Sequence, residues 1–304
     1  MSVPVEGAWQ EPSVLDPALV RRTWRSAEAL HGLIYFAPEA HQRYAALGID
    51  PRAGYFASRA AAMGPVGSGA VTGAFFNFNP ALVSQALPAV WERATPQAVL
   101  AARLDAADAA LTRVLGDMVD SYEMREAAGL ARAAAESVGE RPEGRALFAA
   151  HVALPWPDRP HLVLWHAQTV LREFRGDGHV AALLVAGLTG LEALVLHVAS
   201  GEVPRRFLQR SRGWSDERWD EAAGRLRARG LVEGDEPALT DAGRSQRAWI
   251  EAATDRLAAP AYAVLGARGC ARFAELAQPM SRAVVESGAL SAAARSPRDR
   301  STPA

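Results

Sequence analysis

The stretch LREFRGDGH (171–179) concentrates groups that could hold an anion and act on it. Arg172 and Arg175 are three apart, which puts them on one face of a helix. Asp177 followed by Gly178 reads as the cap of a new helix, so the amides of Gly178, His179 and Val180 would form its electropositive start. Two guanidiniums, a helix start and an imidazole can bind a carboxylate or phosphate, and His179 could then give or take a proton. The same residues also have a purely structural reading. Asp177 caps its helix, Arg175 pairs with an acid and His179 hydrogen-bonds at the junction. Such caps are common, and the balance leans towards that reading.

A second set is aromatic. His31 and Tyr35 are four apart and share a helix face, followed by Phe36; Tyr55 and Arg59 in GYFASR are four apart as well. Phe75, Phe76, Asn77 and Phe78 add aromatic surface just before Pro80. Together they could wall a pocket with a few polar groups, although an aromatic core with satisfied polar tips is the commoner use of such residues. The expected ligand-binding residues are therefore Arg172, Arg175, Asp177, His179, His31, Tyr35, Tyr55, Arg59 and Asn77. His179 and His31 are the candidates for acid/base catalysis.

Composition narrows the chemistry. All 33 basic residues of the 304 are arginine. Without lysine there is no Schiff base, no P-loop lysine and no Ser–Lys dyad. The single cysteine, Cys270, excludes an intramolecular disulfide and a multi-cysteine zinc site. His161 and His166 are five apart, a poor spacing for one metal on a helix, and the seven histidines are scattered. No metal and no cofactor is expected. GPVGSG (64–69) is glycine-rich but lacks a following lysine, and no zincin, hydrolase or dinucleotide motif occurs in a fitting context. The net charge of −1 gives no global field for nucleic acid or anionic lipid. MSVPVEGAWQEPS has neither a basic nor an apolar segment of a signal peptide, and the longest apolar run, 179–188, is too short to span a bilayer. A cytoplasmic protein without membrane contact is expected.

Those candidate residues must be positioned by helices. Apolar spacings of three and four predict helices at 16–36, 37–48, 96–116, 123–139 and 161–176, a buried one at 177–188, and further ones at 189–201, 204–210, 216–229 and about 241–258. HVALPWPDRP (151–160), with three prolines in ten residues, is the best linker. The expected division is 1–150, a helical domain that is itself a candidate degenerate winged helix; 151–265, a winged helix; and 266–304, a C-terminal helix and a tail whose last part is disordered. The fold class is mainly α with a small β-wing.

The order capped helix, short helix, WSDERWDEAAGRLRARGLV, acidic turn, ALTDAGR and long helix (about 189–256) resembles a MarR-type winged helix. The resemblance makes Ser215 the N-cap of a recognition helix, GLVEG and PALT the wing strands, and 241–256 the closing helix. Over 16–265, HGLIYFAP, GYFASRAAAMGPV, NFNPALV, LREFRGDGHVAALL and IEAATDRLA resemble an actinobacterial helix-turn-helix family, which supports the fold and leaves the function open. Tandem winged-helix DNA glycosylases are similar in length class and helix-turn-helix content, but their Gln-x-Gln pair is absent.

The recognition helix begins Asp216, Glu217, Arg218, Trp219, Asp220, Glu221, a net charge of −3 where base edges and phosphates would lie. The wing carries Glu233, Asp235 and Glu236. Acids in a first turn are also simply good for the helix dipole. DNA reading is therefore disfavoured, with Arg205, Arg206, Arg210 and Arg212 left as a candidate basic patch. The leading expectation is a repurposed winged helix that binds a small anionic or aromatic molecule between its halves, as a sensor or an enzyme. The alternatives are a MarR-like transcriptional regulator and an acid/base enzyme using His179 or His31. A homodimer stays open.

Overall fold

Fourteen α-helices and one two-stranded hairpin make up the described residues, 15–290, of the structure, a computed structural model. The first residues (1–14), where no signal peptide is expected, and the end of the tail (291–304) lie outside those residues. Four of the early helices share one start signal, a capping side chain followed by proline. Asp16, Asp50, Asn79 and Thr95 accept from amides of α1 (Pro17–Gly32), α3 (Pro51–Ala60), α5 (Pro80–Ser84) and α6 (Pro96–Leu115). Proline at the first helical position has the right φ and lacks an amide that would go unsatisfied there. Between them lie α2 (Pro38–Ala46) and α4 (Ser68–Phe75), and α7 (Tyr122–Glu136) and α8 (Ala146–Val152) follow.

The next helix departs from expectation. Residues 161–176 and 177–188 are not two helices; α9 runs unbroken from Pro160 to Val185. Gly176 and Gly178 each weaken a helix by roughly 1 kcal/mol relative to alanine. Burial of nearly the whole helix against α7, α8 and its other neighbours overrides that preference. Glycine at 178 is also needed, because a Cβ there would stand 2.9 Å from Arg145 Nη1 and 3.1 Å from Leu257 Cβ. The proline-rich 151–160 stretch keeps its first two residues in α8 and then forms the connection into α9.

After α9 come α10 (Gly190–Ala199), α11 (Arg205–Arg212) and α12 (Asp216–Ala228). The Thr189/Glu192 capping box starts α10, and Ser215 caps α12. Strands β1 (Val232–Glu233) and β2 (Ala238–Leu239) pair antiparallel, with Val232 opposite Leu239. They lead into α13 (Asp241–Ala263), and α14 (Gly266–Glu286) closes the chain. No strand precedes Val232 among the described residues, so the first half is purely helical.

Buried apolar residues form two clusters. One joins α1, α3, α6, α7 and the first half of α9 with the end of α13 and α14. The other joins the end of α9 with α10, α12, the hairpin and the first part of α13. Thus α9 and α13 pass through both. No single described helix is long and apolar enough to cross a membrane, and the apolar α9–α10 pair bends by 95° at its joint.

Candidate functional site

Where the two clusters meet there is a cavity of about 280 Å³. Helix α9 is its floor. Arg172, Gly176, His179 and Leu183 recur at spacings of four and three and so face one way, with Glu173, Arg175, Asp177 and Val180 beside them. Tyr55 and Arg59 enter from α3, and Phe75, Phe76, Asn77 and Phe78 wall one side. The opposite side contributes Ala193, Leu194 and His197 from α10 and Arg212, the last residue of α11. That aromatic wall is fastened to the turn between α11 and α12. Asn79 N donates to Arg212 O at 2.9 Å, Asn79 Nδ2 to Gly213 O at 2.8 Å and Trp214 Nε1 to Asn77 O at 2.9 Å. Gly190 at the start of α10 lets the Phe76 carbonyl come so close that any Cβ would overlap it. Phe76 itself has a positive φ of 60°, rare for an aromatic residue.

Four guanidiniums line the cavity, and three are spoken for. Arg59 donates to both Glu173 oxygens at 3.0 Å and stacks over the Phe75 ring at 4.3 Å. Arg172 is held by Glu28 at 2.9 Å. Arg175 is held by Asp255 at 2.9 Å and lies over the Trp24 ring at 4.4 Å. Arg212 differs: it has no carboxylate within 4 Å among the described residues. Its guanidinium donates to Ser211 Oγ at 3.1 Å and covers the Phe78 ring at 4.5 Å. Burial pulls its pKa down, and Arg59 and Arg172 add to that against Tyr55. The Nε atoms of Arg59, Arg175 and Arg212, and the Trp24 indole, are buried without a protein acceptor.

The carboxylates behave oppositely. Burial opposes ionisation of Glu173, but Arg59 and Arg172 overcome it and hold its pKa at about 2. Asp177 is pushed up to about 6 by burial, with the Phe148 amide opposing. It does not cap its own helix, which overturns the anion site expected at a helix start around Gly178. Being inside α9, Asp177 instead accepts the Phe148 amide in the first turn of α8 at 3.0 Å. The amides of Gly178, His179 and Val180 are spent within α9.

His179 has a defined tautomer. Thr254 Oγ1 donates its only proton to Ile250 O at 2.8 Å, so it accepts from His179 Nδ1 at 2.9 Å. Nε2 is then the lone-pair nitrogen. Burial lowers the His179 pKa, with Arg175 adding and Glu251 opposing, which favours the neutral ring. Burial raises the Tyr55 hydroxyl, but Arg59, Arg212 and Arg172 bring it below the ordinary tyrosine value.

Of the residues expected from the sequence, Arg172, Arg175, Asp177, His179, Tyr55, Arg59 and Asn77 line this cavity. His31 and Tyr35 lie behind it. Tyr35 touches Tyr55 (ring centroids 5.3 Å), and His31 stacks on Trp165 at 5.7 Å with no exposure. Burial, then Arg172, Arg103 and Arg59, hold the His31 pKa well below 6.5, so it is neutral and out of reach of a cavity occupant. Sequence reasoning missed Glu173, Trp24, His197 and Arg212 as wall residues. Four arginines in 205–212 read as one basic patch, and no local signal tells which of them turns inward. Among the described residues no group of three or more His, Cys, Asp or Glu could hold a metal.

On the far side of the turn, Trp219 is fully buried while Asp216 and Asp220 stay exposed and share Arg205 at 3.0 Å each. The arginines later in α12 and at its C-cap are also engaged. Arg225 binds Glu192, Arg227 binds the carbonyls of Gly234 and Asp235, and Arg229 binds those of Gly187 and Ala186. Residues 20–291 match the sequence pattern of a helix-turn-helix family. The chain belongs to that family. No match was found among curated proteins or among solved structures. Because the family pattern spans both buried clusters, the cavity between them lies inside the region that defines this helix-turn-helix family.

Proposed function

We propose that this helix-turn-helix protein binds a small organic anion with an apolar or aromatic body in the cavity between α9 and the helix-turn-helix unit. The observation that carries the reading is Arg212, a half-buried arginine with no carboxylate partner among the described residues, whose Nε is buried without an acceptor beside four aromatic rings. A guanidinium keeps its charge under all ordinary conditions, so burying one without a partner is costly unless a ligand supplies the anion. Phe75, Phe76, Phe78 and Tyr55 suit the apolar part, and the His179 lone pair can accept a hydrogen bond from it. Sensing and acid/base catalysis would use this same site; in an enzyme His179 Nε2 would be the base.

The test is thermal stabilisation by benzoate and by phenyl phosphate, in the wild type and in Arg212→Gln. Stabilisation of the wild type that disappears in Arg212→Gln supports the reading. Equal stabilisation of both proteins, or none of either, ends it.

A second reading, a MarR-like DNA-binding regulator acting as a symmetric dimer, is favoured by the family match and by the order of α10, α11, α12, hairpin and α13. Against it stand the exposed acids at the start of α12 and the internal use of its later arginines. Mobility shifts against a random-site library separate the two: a selected motif bound tightly near physiological salt would promote the regulator.

A further inference from the structure

Behind the cavity, in the first cluster, lies another arginine without a carboxylate. Arg103 of α6 is 3% exposed, and no acid stands within 4 Å of it among the described residues. Glu173 and Glu28, in the same region, are held by Arg59 and Arg172. Its one polar partner among the described residues is His151, at 3.1 Å from Nη1. His151 Nδ1 donates to Leu147 O at 2.8 Å, so Nε2 is a neutral lone pair that accepts from Arg103 and leaves the charge in place. The face of Trp165 lies 4.9 Å from the guanidinium, and His31 stacks on the same indole. Arg103 Nε and Nη2, Trp165 Nε1 and Gln168 Nε2, one helical turn along α9, are all buried without a partner, as are Tyr35 Oη and both His31 nitrogens. Four of these atoms can only donate. The others can donate or accept. Such a set asks for an acceptor carrying negative charge. A lysine here could shed its proton, but an arginine cannot, so neutrality must come from outside.

We infer that Arg103, Trp165, Gln168, His31 and Tyr35 hold one small monovalent anion, of the class of chloride, inside the helical core. This site is separate from the cavity of the proposed function, since none of the five lines it. The single uncompensated guanidinium sets the occupant's charge at one.

The experiment is thermal denaturation in sodium chloride against sodium isethionate at equal ionic strength, on the wild type, Arg103→Met and Arg212→Gln. Chloride from 3 to 300 mM should raise the wild-type melting temperature by on the order of 5 °C beyond isethionate. The effect should persist in Arg212→Gln, which separates it from anion binding in the cavity, and vanish in Arg103→Met. Should Arg103→Met not fold, anomalous diffraction from wild-type crystals grown in bromide decides: a peak between Arg103, Trp165 and Gln168 supports the inference. A chloride effect retained by Arg103→Met, one lost in Arg212→Gln, no chloride effect, or no bromide peak among those side chains overturns it.

Discussion

Arg175 is buried and Arg212 half-buried beside one cavity, and they should answer removal differently. Arg175 is bonded to Asp255, which is 1% exposed and whose only other cationic partner among the described residues is Arg21. Arg175→Ala leaves that carboxylate half-compensated, and urea denaturation without any ligand should show a loss of about 2–3 kcal/mol. Arg212 has no such partner. Its replacement by glutamine removes an uncompensated, partly buried charge, so the free protein should be unchanged within about 1 kcal/mol or slightly more stable. Equal losses in the two variants would mean that Arg212 has structural work of its own.

At the scale of elements, the segment from Phe75 to Asn79 joins the cavity to the turn between α11 and α12. It forms the aromatic wall and also donates to, or accepts from, Arg212, Gly213 and Trp214. The joint depends on Gly190, the first residue of α10, where a Cβ would overlap the Phe76 carbonyl oxygen. Backbone cannot yield as a flexible side chain can. Gly190→Ala should therefore cost about 2–3 kcal/mol, as overpacking does elsewhere, and should weaken anion binding as well, because the wall moves. A chemical-denaturation curve checks the first and the benzoate titration the second. A variant as stable as the wild type would show that the two segments can part freely.

For the whole molecule, buried ionisable groups give the stability a definite dependence on pH. Burial, then Arg103, hold His151 and His166 neutral with pKa values of about 4, against 6.5 when exposed. Their folded values are depressed, so below pH 6.5 the unfolded chain takes up protons that the folded one refuses, and stability falls as pH drops towards 4. Asp177 runs the other way. Its folded pKa of about 6 lies above the ordinary carboxyl value, so its contribution is full at low pH and is lost as pH rises through 6. Glu173, held at about 2, contributes fully above about 4.5 and loses that contribution only below it. Two histidines outweigh one aspartate. Between pH 7.5 and pH 5 these three groups should cost about 2–3 kcal/mol net, and Asp177→Asn should steepen the fall. Urea midpoints at the two pH values measure it; a protein more stable at pH 5 would show the histidines to be protonated in place.

The sequence by itself determined what depends on neighbours in the chain. Capping residues before prolines start α1, α3, α5 and α6, and Thr189 with Glu192 starts α10, because caps and proline act within one helical turn. The spacings 172/175/179 and 55/59 foretold which side chains share a face, since that follows from helical periodicity. The tertiary structure alone decided the rest. It kept α9 whole through Gly176-Asp177-Gly178, because packing on both sides outweighs two glycines. It turned Asp177 from the cap of its own helix into the acceptor for the Phe148 amide, 29 residues away. It sent His31 behind the cavity and Arg212 into it, and left Arg103 without an acid. A buried charge gains or lacks its partner through distance in space, and no spacing along the chain encodes that.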